Sequence, residues 1–344
     1  MSTFTQKLHH YLRAAYPFLW VETFEESRLC NEVGDFYLDD ANKMKGKPVN
    51  VFVWDIQTGL RQRTGVEEYT DLSPAETKSH AKILEYIGSI SKDGNCVFML
   101  KDFHPYIEAP GIIRQLRNLK EQLTVLGKML IFVSPVVKVP VELTKEIQFL
   151  DFALPDEKAI EAQLEFIKDS CEKKLGTDIT IEPKLKQEAI VAAKGMTESE
   201  SQNSYSLAII EHGKFESAFV TSVFQEKIEK IKKNGLLQYI APSTSFGEVG
   251  GLAELKKWIK VRSKAYSPEA RAFGLPYPKG IMLCGYPGTG KTLIAKATSA
   301  ELNVPLFQLD VGGLFGKHVG ETEANFRRVV QTVDAIGPCI LFID

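Results

Sequence analysis

The sequence predicts an α/β chain: a parallel sheet backed by a helical subdomain, then a second α/β domain. Three observations carry this expectation. Over residues 1–154 short β-branched or aromatic runs alternate with segments long enough for a helix. Over 155–238 only helical patterns follow, each with start and stop signals. Within 246–344 an apolar run, a glycine-rich loop and a helical stretch stand in direct succession.

Bulk properties narrow the function classes. A chain of 344 residues, 44% apolar and 25% charged, suits two or three ordinary domains that each bury a core. The net charge of −2 supplies no chain-wide attraction for nucleic acid or an anionic membrane, so neither is expected as a partner. Apolar runs such as 129–133 and 339–343 fall far short of the ~20 residues a bilayer span requires. No basic segment with an apolar signal core opens the chain, so a cytoplasmic location is expected. The five cysteines, Cys30, Cys96, Cys171, Cys284 and Cys339, are scattered singly and read as free thiols. No histidine pair has metal-ligand spacing.

The expected strands of the first domain are 18–22 (FLWVE), 49–55 (VNVFVWD), 96–101 (CVFMLK), 128–133 (KMLIFV) and 149–153 (FLDFA). A phosphate loop would need glycines after the first strand, so that backbone N–H groups could close on an anion. Thr23-Phe24-Glu25-Glu26-Ser27-Arg28 stands there instead, with no glycine and two carboxylates. This half is therefore not expected to bind a nucleotide. Asp102, ending the third strand, either imitates a magnesium aspartate or is a surface residue, and the missing loop favours the second reading. Helices are expected at 157–175, 184–194, 201–212 and 218–233, then a linker over 239–245.

The specific signals lie in the last third. FGEVGGL at 246–252 precedes a charged helix over 253–264, and KGIMLC leads into GYPGTGKT at 285–292. Gly285, Gly288 and Gly290 permit backbone conformations closed to other residues, so that the N–H groups of the loop, with Tyr286, Pro287 and Thr289 between the glycines, turn inward on phosphate oxygens. Lys291 then reaches the β- and γ-phosphates, and the Thr292 hydroxyl is a ligand for magnesium. A helix over 292–302 adds the positive end of its dipole. A second strand is expected at 305–310, then a loop and helix over 314–329 carrying Glu321, Glu323, Arg327 and Arg328. A third strand, CILFID, sets Asp344 to hold the magnesium ion through its water shell. Lys256, Lys257, Lys260, Arg262 and Lys264 are read as spread round their helix, a solvated surface and no nucleic-acid stripe.

FGEVGGL, GYPGTGKT, HVGETEANFR and CILFID resemble the AAA family of P-loop ATPases. The whole chain is similar to the AAA ATPases of hypothetical chloroplast reading frame forty-six and their cyanobacterial relatives, through TFEESR, LKDFHPYIEAP, KKNGLLQYI and VGGLAELKKWIKVRSKAY. The resemblance implies a degenerate AAA-like module without a phosphate loop in front of a P-loop AAA+ domain, with sheets in the strand order five, one, four, three, two. It implies ATP and Mg2+ as cofactors, with Val249 and Gly250 joining the nucleotide site. It also implies a homo-oligomeric ring, an unidentified protein substrate or partner, and a plastid stroma as an alternative location. His318 stands where many family members carry an aromatic residue that grips polypeptide, which weakens a threading role. The catalytic glutamate, sensor, arginine finger and lid that the family implies would all follow Asp344, so an incomplete, inactive gene product is expected, its strand 281–285 lacking sheet neighbours. Two functions compete: an ATPase coupling hydrolysis to subunit movement, and a nucleotide-sensing interaction protein.

Overall fold

The structure, a computed structural model, describes the whole chain except residues 1–2, 40–41, 43, 45, 73, 91–93, 177–178, 234, 242–243, 267–269, 271–272, 277, 303 and 315–320. It divides into two compact units, Met1–Ala153 and Leu154–Asp344.

The first unit is a seven-stranded sheet between helices. Five strands are parallel: β1 (Phe18–Glu22), β2 (Val49–Asp55), β5 (Asn95–Lys101), β6 (Lys128–Ser134) and β7 (Ile147–Phe149). Two more, β3 (Gly59–Gly65) and β4 (Glu68–Asp71), extend the edge as an antiparallel meander from β2. The sheet order is β4-β3-β2-β5-β6-β1-β7. Counted along the chain, the parallel strands therefore stand two, three, four, one, five, the order that the family resemblance implies.

The central strands β1, β2, β5 and β6 are buried on both faces, and period-two alternation sorts their side chains. One face collects aromatics: Phe18 and Trp20, Phe52 and Trp54, Phe98 and Phe132, with Phe52 stacked on Phe98 at 4.7 Å. Helices α4 (His80–Ser89) and α5 (Pro110–Leu126) cover it with Ile83, Ile87, Leu116 and Leu123. The other face is aliphatic, with Leu19, Val21, Val51, Val53, Val97 and Ile131 packed under α1 (Thr3–Arg13) and α2 (Glu26–Leu38). The short helix α3 (Pro74–Thr77) ties the meander to the core, because the buried Trp54 indole donates to the Thr77 carbonyl at 2.6 Å. Lys128 is also buried, and its ammonium donates to the carbonyls of Ile87 at 2.8 Å and Ile90 at 2.7 Å at the C-terminal end of α4. A cation there completes carbonyls that the helix cannot pair internally.

In the second unit, α6 (Glu157–Leu175), α7 (Pro183–Ala193), α8 (Glu198–His212) and α9 (Ser217–Lys233) enclose Ile160, Leu164, Tyr205 and Phe219. Their ends follow local rules: Asp156 caps α6, Thr197 and Glu200 form a capping box on α8, and Gly176 and Gly213 adopt the left-handed conformation at the helix ends. Beyond them β8 (Leu237–Ile240) pairs antiparallel with β9 (Leu306–Leu309), which pairs parallel with β10 (Ile340–Ile343). The sequence reading has the end of the helical subdomain and a linker where β8 forms. Ile231 and Leu237 share a core with Phe307, Leu309, Leu314 and Val329, contributed by β9, α12 (Val311–Leu314) and α13 (Glu321–Ile336). A separate core holds Phe246, Val249, Ile259, Ile294 and Ala297, from the 246–252 segment, α10 (Ala253–Ser263) and α11 (Lys291–Leu302).

The expected strand at 281–285 is not formed. Residues 278–286 have no regular structure, and Met282 is 88% exposed. β9 has β10 on one side and β8 on the other, and 281–285 joins neither outer edge of this three-stranded sheet, so its backbone lacks the ladder partners that a strand requires.

Candidate functional site

The loop 285–292 turns tightly before α11. Gly288 and Gly290 have φ of +81° and +84°, values that a side chain would strain. A Cβ on Gly288 would meet no atom within 4 Å, so the space over it is open. The Thr289 hydroxyl and amide both donate to the Tyr286 carbonyl, at 2.8 Å and 3.4 Å, closing the turn. The Lys291 ammonium donates to the carbonyls of Gly285 at 3.0 Å and Tyr286 at 2.9 Å, so the lysine folds back across its own loop. Thr292 lies in the first turn of α11. A concave turn of positive-φ glycines at the N-terminus of a 12-residue helix, with a lysine across it, fits a phosphate chain.

Val249 is buried against Ile294 and Ala297, which brings the 246–252 segment onto the helix that carries the loop. Gly250 is exposed beside it, and the Lys256 ammonium donates to the Val249 carbonyl. No local pattern in 249–256 signals that lysine contact, which depends on how the segment packs on α10. Asp344 follows β10, and no hydrogen bond or ion pair among the described residues joins it to Lys291 or Thr292. The 317–320 segment with His318 lies outside the described residues, as do the side chains of Glu321, Glu323, Arg327 and Arg328. No group of three or more His, Cys, Asp or Glu side chains among the described residues could hold a metal ion.

In the first unit, the position after β1 is closed by side chains. Glu25 is buried and pairs with Arg28 at 2.6 Å, and Arg28 also donates to the Ala153 carbonyl and lies over the Phe152 ring at 4.0 Å. An anion's place is thus taken by a carboxylate with its own guanidinium partner. Asp102 is a surface residue, its side chain 63% exposed, with a left-handed φ of +49°.

One sequence reading is corrected. At about 100° per residue, Lys256, Lys257, Lys260 and Lys264 fall on one side of α10, and all four line a single surface depression. Only Arg262 turns away, stacked on Trp258 at 3.5 Å.

Comparison with known proteins bears on these sites. Residues 4–152 match the N-terminal domain of SpoVK-like AAA ATPases, 159–234 match their second domain, and 281–344 match the ATPase family associated with various cellular activities. The chain belongs to the AAA ATPases. Among similar proteins, the uncharacterized AAA domain-containing protein ycf46 of Guillardia theta is 32% identical over 334 residues, 97% of this chain and 62% of that protein. The ycf46 protein of Trieres chinensis is 30% identical over 341 residues, 99% of this chain and 65% of that protein. The chain thus spans somewhat under two thirds of the length of these relatives. The peroxisomal ATPase PEX6 of Arthrobotrys oligospora is 39% identical over 105 residues, 30% of this chain and 9% of PEX6. No helix among the described residues is long and apolar enough to cross a membrane.

Proposed function

We propose that the protein binds ATP with magnesium at the loop 285–292 and hydrolyses it, in a homo-oligomeric ring whose subunit movements perform work on a protein partner. One observation carries the nucleotide site: two positive-φ glycines directly before α11, with the Lys291 ammonium already held across the loop. Bound magnesium neutralises phosphate charge in such sites. In this reading the N–H groups of 285–290 orient the phosphates, and Lys291 exchanges the two loop carbonyls for β- and γ-phosphate oxygens. Thr292 offers its hydroxyl to the metal and Asp344 holds the metal's water shell. Val249 and Gly250 border the nucleoside. We also propose the division into a degenerate module over 1–154, a helical subdomain over 155–238, a linker over 239–245 and the ATPase domain from 246. The likeness to chloroplast reading frame forty-six supports a cytoplasmic or stromal setting.

A nucleotide-sensing role is the second reading, favoured by the closed Glu25–Arg28 site, which leaves the first unit free to serve as a nucleotide-independent docking module. Titration of a fluorescent ATP analogue tests the site. Lys291→Ala is expected to weaken binding about tenfold or more, equivalent to about 1.4 kcal/mol, and Thr292→Ala to make binding insensitive to magnesium. Binding unchanged in both variants overturns the assignment. Phosphate release from the full-length protein no faster than from Lys291→Ala selects the sensor.

A further inference from the structure

Of the lysine face of α10, only Lys256 touches the nucleotide reading, through the Val249 carbonyl; Lys257, Lys260 and Lys264 play no part in it. Lys257, Lys260 and Lys264 are exposed, Lys256 is half-buried, and none of the four forms an ion pair among the described residues. Between them lie exposed Ala253 and Val261, the latter 60% exposed, so the depression of about 470 Å3 has an apolar floor and a basic rim. The opposite side of the helix is fixed, with Ile259 buried against Ile294 and Ala297 of α11. Like charges three and four residues apart repel, by a few tenths of a kcal/mol per pair, and the one acid of α10, Glu254, stands three residues from Lys257 but beside neither Lys260 nor Lys264, so part of this cost is left for an acidic ligand to relieve.

We propose that this face docks an acidic, amphipathic helical segment of a partner protein. Lys257 and Lys264 are separated by about 10 Å along the helix axis at about 1.5 Å per residue, with Lys260 between them. A facing helix with carboxylates three or four residues apart repeats the same spacing, and an apolar residue between its carboxylates meets Val261 and Ala253. A nucleic-acid strand fits less well. Its affinity grows with the number of phosphates neutralised, and one helix face on a chain of net charge −2 neutralises few, while Val261 and Ala253 offer a phosphate nothing.

The test is fluorescence anisotropy of the 344-residue chain at low salt with two labelled probes. One is a short helical peptide with glutamate at every fourth position and leucine beside it, and the other is a single-stranded oligonucleotide. Trp258 provides a second readout, since it borders the face and is exposed, whereas Trp20 and Trp54 are fully buried. The peptide is expected to bind and to shift tryptophan emission. Triple charge reversal, Lys257→Glu with Lys260→Glu and Lys264→Glu, should weaken it about tenfold or more, and Val261→Ser should weaken the peptide alone. These lysines are solvent-facing, so the variants should keep the wild-type circular dichroism, and Lys256 is left intact because it holds the Val249 carbonyl. Peptide binding that is absent, indifferent to the charge reversal, or outcompeted by the oligonucleotide overturns the proposal.

Discussion

Two buried lysines illustrate how one residue type serves opposite ends. Lys128 meets two helix-end carbonyls, so its desolvation is offset by hydrogen bonds, even though burial still holds its pKa below the ordinary value. Lys227 on α9 is equally buried, and desolvation lowers its pKa to about 8, with Lys194 adding repulsion. The nearby Cys339 thiol is pushed up to about 11, mainly by burial. The consequences for stability oppose one another. Above pH 8 the folded lysine has lost a proton that the unfolded chain keeps, so stability rises with pH. Above pH 9 the unfolded cysteine ionises while the folded thiol does not, so stability falls with pH. The unfolding free energy of the second unit, measured by urea titration, should therefore climb by about 1 kcal/mol between pH 8 and pH 9 and then level off, the midpoint moving with it. Lys227→Met should raise the midpoint at pH 7 and remove the climb; an unchanged profile would show the lysine to be solvated.

At the scale of elements, the β3–β4 meander shows where reading along the chain stopped short. LRQRTGVEEYTD alternates poorly, because its buried side is built around a charge. Arg63 of β3 has its side chain almost wholly buried. It pairs with Asp35 of α2 at 2.7 Å and donates to Asn31 and the Tyr69 hydroxyl, each at 2.8 Å. Gly34 makes the room, since a Cβ there would stand 2.9 Å from the Arg63 Nε. Arg63→Met should cost about 1 to 3 kcal/mol by stranding Asn31 and Tyr69, and hydrogen exchange should rise first in β3 and β4. Gly34→Ala should do the same in spite of its better helix propensity, because the guanidinium it strikes cannot leave a buried site. The helices of the second unit were easier to read. Thr197, Glu200, Asp156 and Gly176 act on neighbours within a turn, so their signals are local and the predicted ends fall within three residues of those observed.

Across the whole molecule, the two units should respond differently to ligand. The first has its would-be anion position filled by Glu25 and Arg28, while the second carries the open loop at 285–292. Calorimetry with ATP and magnesium should move only the transition assigned to Leu154–Asp344, by about 2.7 kcal/mol at a hundredfold excess over Kd, and Lys291→Ala should abolish the shift. A shift in the Met1–Ala153 transition would mean that the Glu25–Arg28 pair opens to admit nucleotide. The parallel sheet of this first unit was legible because doubly buried strands are continuous apolar runs, with FLWVE and KMLIFV the clearest. The strand order was not, since pairing joins β1 to β6, more than a hundred residues away.

Composition, helix caps and the spacing of GYPGTGKT are local properties, and they were enough to yield the α/β class, the four helices and the candidate loop. Long-range hydrogen-bond pairing settled the rest. Residues 281–285 pair with no strand among the described residues despite their apolar side chains, whereas 237–240, expected as the end of the helical subdomain and the start of the linker, pair with β9. A strand exists only where another backbone offers it an edge, and no stretch of sequence states who that neighbour will be. Helical spacing alone puts the four lysines of α10 on one side, and packing of Ile259 against α11 decided that this side stays exposed.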